Sequence, residues 1–464
     1  MRFIYIVSLF TLLLMTGCSK NFLDQKPYTA LPVDDAIKTV EEMAAAMNGV
    51  YQSMQPSTVY GRHIPVFGDL MADNVYISNL NSGRYLVQNS YATTVSSSEP
   101  DEIWTGLYNI IKNANVVINA DIPSSEESDQ LRGEALTVRA LAHFDLVQLF
   151  ATPYSVNPNA EGIPIITSFD QNAKPSRDAV SAVYNQILTD LTDAFGLMTV
   201  TDNSSAYITK YVARALEAKV HLYMGNWEDA MDAAQDVVDN SGFTLVPAAD
   251  FGAYWKNPAP GTSKVETMFE LTLDASNHNG TTALAYMYDQ DGYGDLLATD
   301  NLYNLYSATD VRRSLIIAGV RNSLPVWIVN KYQNGSNPDK DDIKMLRFAE
   351  VVLILAEAYY RMDDEDNARL YLNMVAETRD PSFAGYSSTG AALLEDIINE
   401  RRKELAFEGG RLQDLLRLNR DIVRGPQYPA GAQLIPTTNG KRIQPIPQTE
   451  RDANPNISQN DAYQ

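Results

Sequence analysis

The chain has 464 residues, of which 45% are hydrophobic and 20% charged, so it can bury a large core and has the composition of an ordinary globular protein. Its formal net charge of −22 argues against nucleic-acid binding, because neutralising a phosphate backbone requires clustered Lys and Arg. An anionic membrane surface would also repel the chain. The charge therefore favours an uncharged ligand.

The first 17 residues predict a secretory signal. Arg2 precedes an apolar run, residues 3–15, that is too short to cross a bilayer comfortably. Residues 14–18 resemble a lipobox, in which cleavage leaves Cys18, the only cysteine, as a lipidated first residue. An ordinary signal peptide with a chance cysteine is the alternative. The lipobox predicts a mature protein that is held at a membrane by acyl chains and has no disulfide.

Most of the chain that follows has helical periodicity. Apolar residues at spacings of three and four predict helices over residues 33–54, 103–119 and 129–150, and a further helix capped by Ser176. Two helical pairs, around residues 218–234 and 356–375, resemble tetratricopeptide repeats, which stack only on their neighbours. We therefore predict a mainly α fold, a tetratricopeptide-like scaffold of about four helical pairs with long loops and a few short strands.

Residues 240–344 interrupt this periodicity, because they are rich in Gly, Pro, Asn and Tyr. The short apolar runs 267–273 and 326–329 predict strands between long loops. These changes along the chain predict a signal peptide followed by a single domain with three parts. Their bounds are 1–17 for the signal, then 18–239 for the N-terminal helical part, 240–344 for the loop-rich insertion and 345–464 for the C-terminal helical segment.

Residues 400–419 combine charged and apolar side chains too densely for every charge to face water. Their pattern predicts a helix through Glu408 that Gly409 and Gly410 end, followed by a second apolar segment from Arg411. Some of the charges must then be buried as pairs of arginine and carboxylate. Because no His or thiol accompanies them, structural ion pairs are favoured over catalysis.

Motifs of catalysis are absent from the sequence, which has no GxSxG, P-loop, HExxH or CxxC pattern and only four scattered His. Neighbouring carboxylates such as Asp69 and Asp73 leave a glycosidase open, because the separation that matters is spatial. Such pairs arise by chance among 58 acidic residues. We therefore predict a protein that is not an enzyme and has no catalytic residue.

The binding signal is aromatic. A sugar has polar edges and apolar faces, so its site needs aromatic platforms flanked by amides and carboxylates. Three loop stretches have this mixture and supply the candidate ligand-binding residues, which are Asn74, Tyr76, Tyr85, Trp255, Tyr286, Tyr288, Asp289 and Tyr293. For each tyrosine the alternative is packing over the core.

A calcium site is a second interpretation of the last of these stretches. Asp289, Asp291 and Asp295 could supply several oxygens from one flexible loop, as calcium prefers. Their spacing does not fit an EF-hand, so a tight turn is favoured. The sequence therefore predicts neither a metal site nor a cofactor.

Five segments carry a family resemblance: FLDQKP after Cys18, LRGEALTVRALAHFDLVQLFA at 131–151, LRFAEVVLILAEAYY at 346–360, ERRKELAFEG at 400–409, and PIPQTERDANPNISQN at 445–460. Together they resemble the signatures of the SusD/RagB family, the nutrient-capturing surface lipoproteins of Gram-negative bacteria. The chain departs from that family at Leu412 and Gln413, where an aromatic pair is usual.

The resemblance implies a helical scaffold on the surface of the outer membrane. It also implies a SusC-like TonB-dependent transporter as partner, with the chain as a lid that holds oligosaccharide for import. No binding residue is carried across, because the family's binding residues lie in variable loops. A peptide-capturing member of the family and a surface glycosidase stay open as alternatives.

Overall fold

The computed structural model describes residues 37–170, 172–202, 204–257, 265–335 and 341–464. The predicted signal peptide, the lipobox with Cys18 and the start of the first predicted helix lie outside the described residues.

Sixteen α-helices occur in the described residues. In chain order they are α1 (Val40–Met54), α2 (His63–Leu70), α3 (Leu86–Asn89), α4 (Ser98–Ile118), α5 (Glu126–Phe150), α6 (Val180–Leu197), α7 (Lys210–Met224), α8 (Trp227–Asn240), α9 (Phe251–Lys256), α10 (Leu284–Tyr288), α11 (Asp300–Tyr303), α12 (Phe348–Arg361), α13 (Glu365–Arg379), α14 (Gly390–Glu404), α15 (Arg411–Arg417) and α16 (Gln448–Ala453).

The strands are short. They are β1 (Val75–Ile77), β2 (Thr267–Leu271), β3 (Leu296–Ala298), β4 (Ile316–Arg321), β5 (Leu324–Val329), β6 (Ile343–Arg347), β7 (Ile422–Val423) and β8 (Leu434–Ile435).

The long helices form one continuous stack. Each of α1, α4, α5, α6, α7, α8, α12 and α13 packs against the next in that order. The series divides into four consecutive pairs, and Gly225, in the left-handed conformation, makes the tight turn between α7 and α8. The mainly α, tetratricopeptide-like fold is therefore confirmed, whereas the predicted domain bounds stay a prediction.

One helix begins later than its sequence indicates. We predicted that Ser176 would cap α6, but α6 begins at Val180, after Ala179 in extended conformation. The backbone of Asp178 bonds to Gly162 and Ile163, and Val180 N donates to the carbonyl of Ala160. Since these amides and carbonyls pair with residues 160–163, the helix cannot begin before that pairing ends.

Between α8 and α12 the chain forms most of its strands, as predicted. A four-stranded sheet has the order β1-β3-β5-β4, and all its neighbours are antiparallel. The β4–β5 hairpin turns at Asn322 and Ser323, which both have positive φ, the conformation that matches the twist of a two-residue hairpin. Strands β2 and β6 form a second antiparallel pair, and β7 and β8 a third.

The segment after α14 corrects another prediction. The helix ends at Glu404 rather than at Glu408, and Phe407 and Gly409 take positive φ. The Asp69 carboxylate of α2 accepts hydrogen bonds from the backbone amides of Phe407 and Gly409. These two bonds stabilise a turn in place of the last helical residues, and they attach α2 to it.

The predicted burial of charges in this segment is confirmed. Glu404 is buried and accepts hydrogen bonds from Arg312, Arg347 and Arg379, at N–O distances of 2.7 to 3.1 Å. Burial alone would raise the pKa of Glu404, but the three guanidinium groups outweigh it and hold that pKa well below its usual value. Glu404 thus joins α14, α13, β6 and the segment before β4.

Candidate ligand-binding surface

Two of the predicted binding residues are structural, and both lie near α2. Asn74 is buried; its amide donates to Asp69 (2.7 Å) and its carbonyl accepts from Arg402 (2.9 Å). Tyr85 is also buried, with its hydroxyl 2.7 Å from Nδ1 of His63. Because their polar atoms are already satisfied inside the protein, we withdraw both from the candidate site.

Trp255 and Tyr288 are withdrawn because they are buried, although Nε1 of Trp255 and the hydroxyl of Tyr288 have no hydrogen-bond partner among the described residues. Trp255 is 3% exposed and packs edge-to-face against Tyr254, with the ammonium of Lys331 4.2 Å from its ring centroid. Tyr288 is 0% exposed and stacks on Tyr332 with ring centroids 5.8 Å apart. Both aromatic side chains close the loops over the core, which for Tyr288 is the alternative that the sequence left open.

Tyr286, Asp289 and Tyr293 are half-buried and belong to one folded segment, residues 286–295, which we call the tyrosine loop. Its first three residues are the end of α10, where the sequence predicted only a loop. The rings of Tyr286 and Tyr293 meet edge-to-face at 5.3 Å, and the amide of Tyr293 donates to the carbonyl of Tyr286. The Arg84 guanidinium lies 3.5 Å from the centroid of the Tyr293 ring, and Arg321 donates to the Tyr293 carbonyl. The loop therefore presents two partly exposed tyrosines on a fixed backbone.

A second aromatic pair lies on the four-stranded sheet and consists of Tyr303 and Trp327, two residues that the sequence did not single out. Trp327 of β5 stacks on Tyr303 of α11 with ring centroids 3.4 Å apart and an interplanar angle of 16°. Trp327 Nε1 donates to Asp300 Oδ1 at 2.9 Å. Arg313 donates from Nε and Nη2 to the Tyr303 hydroxyl, at 2.8 and 2.6 Å. Both rings are half-buried, so part of this pair faces solvent.

Tyr76, the remaining predicted residue, lies beside this pair. It is half-buried on β1, and its hydroxyl hydrogen-bonds to Gln427; burial is the main cause that raises its pKa. Gln427 also accepts a hydrogen bond from the backbone amide of Asp300. We call Tyr76, Asp300, Tyr303, Arg313, Trp327 and Gln427 the aromatic surface.

The β4–β5 hairpin connects the aromatic surface to the tyrosine loop. Trp327 on β5 stacks on Tyr303, whereas Arg321 at the end of β4 reaches the backbone of Tyr293. Apolar side chains project from the same hairpin, and Val320 is 71% exposed. An open surface with aromatic rings, hydrogen-bonding groups and apolar edges thus follows the hairpin.

Sequence reasoning missed Tyr303 and Trp327 because 23 residues separate them and because Trp327 lies in the apolar run 326–329. A signal was available in the Asn322-Ser323 dipeptide between two apolar runs, since it predicts a hairpin. A hairpin would have placed Trp327 on a sheet with an open side.

The carboxylates that the sequence suggested for calcium or for a glycosidase have partners within the protein. Asp295 pairs with Arg84 at 2.9 Å, and Asp289 accepts from the backbone amide of Asp291, which is the tight turn favoured over calcium. The described residues contain no group of three or more metal-ligating side chains. Asp73 pairs with Arg411 and Asp69 bonds to backbone amides, so these two carboxylates are structural.

Comparison with known proteins places this geometry in a family. Two family models match the chain: one described as "Starch-binding associating with outer membrane" over residues 21–222, and "SusD family" over residues 320–463. A relative, SusD-like protein P2 of Formosa agariphila, is 26% identical in an alignment of 505 positions that covers 97% of this chain and 97% of its own.

Solved structures agree with the fold. A SusD superfamily protein from Bacteroides thetaiotaomicron is 29% identical, with a TM-score of 0.83 over 91% of this chain and 100% of its own. A SusD-like carbohydrate-binding protein from Bacteroides vulgatus is 20% identical, with a TM-score of 0.80 over 91% of this chain and 98% of its own. None of the helices in the described residues has the length and apolarity that a membrane span needs. The chain belongs to the SusD/RagB family.

Proposed function

We propose that the chain is a cell-surface lipoprotein that captures oligosaccharide and delivers it to a SusC-like TonB-dependent transporter. Family membership supports the general role, because one matched model is described as starch-binding and as associating with the outer membrane. The observation that carries the ligand assignment is the half-exposed stack of Tyr303 and Trp327 among hydrogen-bonding side chains.

The aromatic surface suits a sugar ring for a geometric reason. Tyr303 covers one face of the Trp327 indole, so an apolar sugar face would stack on the opposite side. Asp300 keeps a second carboxylate oxygen beside the one that accepts from Trp327, and Arg313 keeps Nη1 beside the two nitrogens that bond Tyr303. These groups would bond sugar hydroxyls at the rim of the stack.

The tyrosine loop would extend the site along a chain of sugars. Tyr286 and Tyr293 are held by the backbone bond between them and by Arg84 and Arg321, so little side-chain entropy is lost when a ligand binds. Because the hairpin connects the loop to the aromatic surface, an oligosaccharide rather than a single ring would contact both.

The proposed delivery step rests on anchoring and on family membership. Cys18 would carry the lipid, and the helical stack would hold the binding surface outside the membrane. The SusC-like partner is what the family resemblance implies, and the matched models support the family itself. Binding without turnover fits the absence of catalytic motifs from the sequence.

The test is calorimetric titration of purified protein with a panel of neutral oligosaccharides. We expect Trp327→Ala to weaken binding at least tenfold, since removal of a stacking platform at the centre of a site costs about 1.4 kcal/mol or more. The matched control is Tyr207→Ala, which removes an exposed tyrosine outside this surface and should leave the affinity unchanged.

Equal affinities of Trp327→Ala and the unchanged protein would refute the site. Tighter binding of unstructured peptides than of any glycan would favour the peptide-capturing alternative. New reducing ends during incubation with polysaccharide would favour a glycosidase.

A further inference from the structure

The turn between β2 and α10 contains one of the four Asn-Gly dipeptides of the chain. Their asparagines are Asn48, Asn279, Asn334 and Asn439. In such a dipeptide the backbone nitrogen of the glycine can attack the asparagine carboxamide, because a residue without a side chain leaves room for the approach. The surrounding structure decides whether the attack occurs, since the nitrogen must lose its proton and turn toward the carboxamide.

Two of the four dipeptides are held by the fold. Asn48 and Gly49 lie inside α1, where backbone amides are engaged in helical hydrogen bonds. Asn334 is 6% exposed, and its side-chain nitrogen donates to Asp341 at 2.9 Å and to the carbonyl of Lys256 at 3.0 Å. We therefore expect these two asparagines to be protected in the folded protein.

The other two dipeptides have matching surroundings. Asn279 and Asn439 are both half-buried, and each directly precedes a single turn of 3₁₀ helix, Gly280–Thr282 and Gly440–Arg442. The carboxamide oxygen of Asn439 accepts from the backbone amide of Lys441 at 2.9 Å. Asn439 is therefore a natural control for Asn279.

His278 distinguishes Asn279 from this control by supplying a base. Its Nδ1 accepts a hydrogen bond from the backbone N–H of Gly280 at 2.9 Å. An accepting Nδ1 is unprotonated, so it can take the proton of that same amide. The residue before Asn439 is Thr438, and its hydroxyl is not a base at neutral pH.

The Gly280 peptide must also turn before it can react. Asn279 has ψ 0°, and ring closure needs a rotation about this bond that brings the Gly280 nitrogen to Cγ of Asn279. A Cβ placed on Gly280 would meet only the His278 ring, at 3.9 Å. The rotation breaks the bonds that the Asn279 carbonyl accepts from the amide and the hydroxyl of Thr282. It is a local opening of one turn that follows the exposed residues 274–278, which is the least costly kind of opening in a folded protein.

We propose that Asn279 is a site of spontaneous deamidation and that His278 promotes the reaction. Nδ1 of His278 takes the proton from the nitrogen of Gly280, and this nitrogen forms a bond to Cγ of Asn279. The bond from Cγ to Nδ2 breaks, and Nδ2 leaves as ammonia with the proton that His278 returns. Water then opens the cyclic succinimide at either carbonyl and yields aspartate or isoaspartate at position 279. The proposal does not depend on the proposed function, since it uses none of the residues of the aromatic surface.

The modification would loosen the turn that leads into α10. Nδ2 of Asn279 donates to the carbonyl of Gln55, at the end of α1, at 2.8 Å, and a carboxylate cannot replace this donor. Asn277 makes a second bond to the Gln55 side chain at 2.7 Å. The amide of Leu284, which begins α10, bonds to the carbonyl of Gly61 close by. We therefore expect faster hydrogen exchange at the Leu284 amide in the deamidated protein.

The test is incubation of the folded full chain at neutral pH for several weeks, followed by peptide mapping with mass spectrometry. We expect Asn279 to deamidate at least about tenfold faster than Asn439. His278→Gln keeps an acceptor for the Gly280 amide but is not a base, and should slow the reaction of Asn279 at least about fivefold. The rate at Asn439 should stay unchanged in this variant, which shows that the variant is folded. In concentrated urea the four asparagines should react at similar rates, because the fold no longer distinguishes them.

Four results would overturn the proposal. They are equal rates at Asn279 and Asn439 in the folded protein, an unchanged rate at Asn279 in His278→Gln, an excess of reaction at Asn279 that persists in urea, or aspartate without isoaspartate at position 279. The last result would show direct hydrolysis by water, because only the succinimide opens to both products. Fragmentation by electron transfer distinguishes the two products.

Discussion

Glu404 illustrates how one buried carboxylate fixes the position of several elements. Its oxygens bond Arg347 and Arg379, and both of these arginines also bond Glu266 at 2.6 to 2.7 Å. Desolvating so many charges offsets most of the Coulombic gain, so the network contributes little net stability. The network instead fixes the relative positions of the elements, because each guanidinium group must lie where it can bond all of its carboxylate partners.

We therefore predict a large effect of Glu404→Gln. The substitution leaves Arg312, Arg347 and Arg379 with an excess of buried positive charge, which should lower the free energy of unfolding by about 3–5 kcal/mol. Urea unfolding followed by circular dichroism measures it. The control is Glu395→Gln, which breaks a solvent-exposed pair with Arg420 and should change the stability by less than about 1 kcal/mol.

Asp145 should make stability depend on pH. Burial raises its folded-state pKa from 3.8 to about 6, so the folded protein binds a proton more tightly than the unfolded chain does. The stability that this proton contributes is present below pH 4 and is lost as the pH rises through 6. The loss is at most about 3 kcal/mol for a shift of roughly two units.

The variant Asp145→Asn removes this term, because an amide oxygen still accepts from Tyr60 and does not titrate. We expect urea midpoints of the variant to exceed those of the unchanged protein increasingly between pH 4.5 and pH 7. If the difference between the two urea midpoints stays constant from pH 4.5 to pH 7, the raised pKa does not belong to Asp145.

At the scale of elements, the contact between α2 and the turn after α14 depends on two glycines. A Cβ on Gly68 would lie 1.7 Å from the carbonyl oxygen of Gly409. Gly409 has φ +85°, and a Cβ there would lie 2.5 Å from Cα of Pro65. The two backbones therefore approach too closely for any side chain between them.

Because of this contact, we predict that alanine substitutions at two adjacent glycines lower the stability by different amounts. Gly409→Ala combines a left-handed φ with a clash against backbone, and should destabilise the protein by more than about 2 kcal/mol. Gly410→Ala has an ordinary φ and open space around its Cβ, and should cost less than about 1 kcal/mol. Thermal unfolding of both variants by calorimetry tests the pair, and similar melting temperatures would show that the close approach does not matter.

Helices were predictable from the sequence because their signal is local. Apolar spacing identified α4 and α5 within a few residues of their ends, and the density of charge in residues 400–419 indicated burial. The turn after Glu404 was not predictable, since the Asp69 carboxylate that stabilises it comes from more than 300 residues earlier. The same reason applies to binding residues, because nothing local distinguishes the buried Tyr288 from the half-buried Tyr286 two residues before it.

At the scale of the whole molecule, the stack of helices and the binding surface have different roles. The stack is continuous from α1 to α13, and the sheet with the Trp327–Tyr303 pair is built from segments inserted between α8 and α12 together with β1. A surface built from loops and short strands can vary without disturbing the stack. Recognition can therefore differ among proteins that share this fold.

Anchoring should be separable from binding for the same reason. We predict that Cys18→Ser abolishes incorporation of radiolabelled palmitate and moves the protein from the detergent phase to the aqueous phase in Triton X-114 partitioning. The physical cause is the loss of the acyl chains, because each of their buried CH₂ groups contributes about 0.8 kcal/mol to membrane binding.

Purified Cys18→Ser protein should bind oligosaccharide with the affinity of the unchanged protein, because the aromatic surface begins at Tyr76. Retention of the variant in the detergent phase would refute Cys18 as the anchor, and a weakened affinity would show that anchor and surface are coupled.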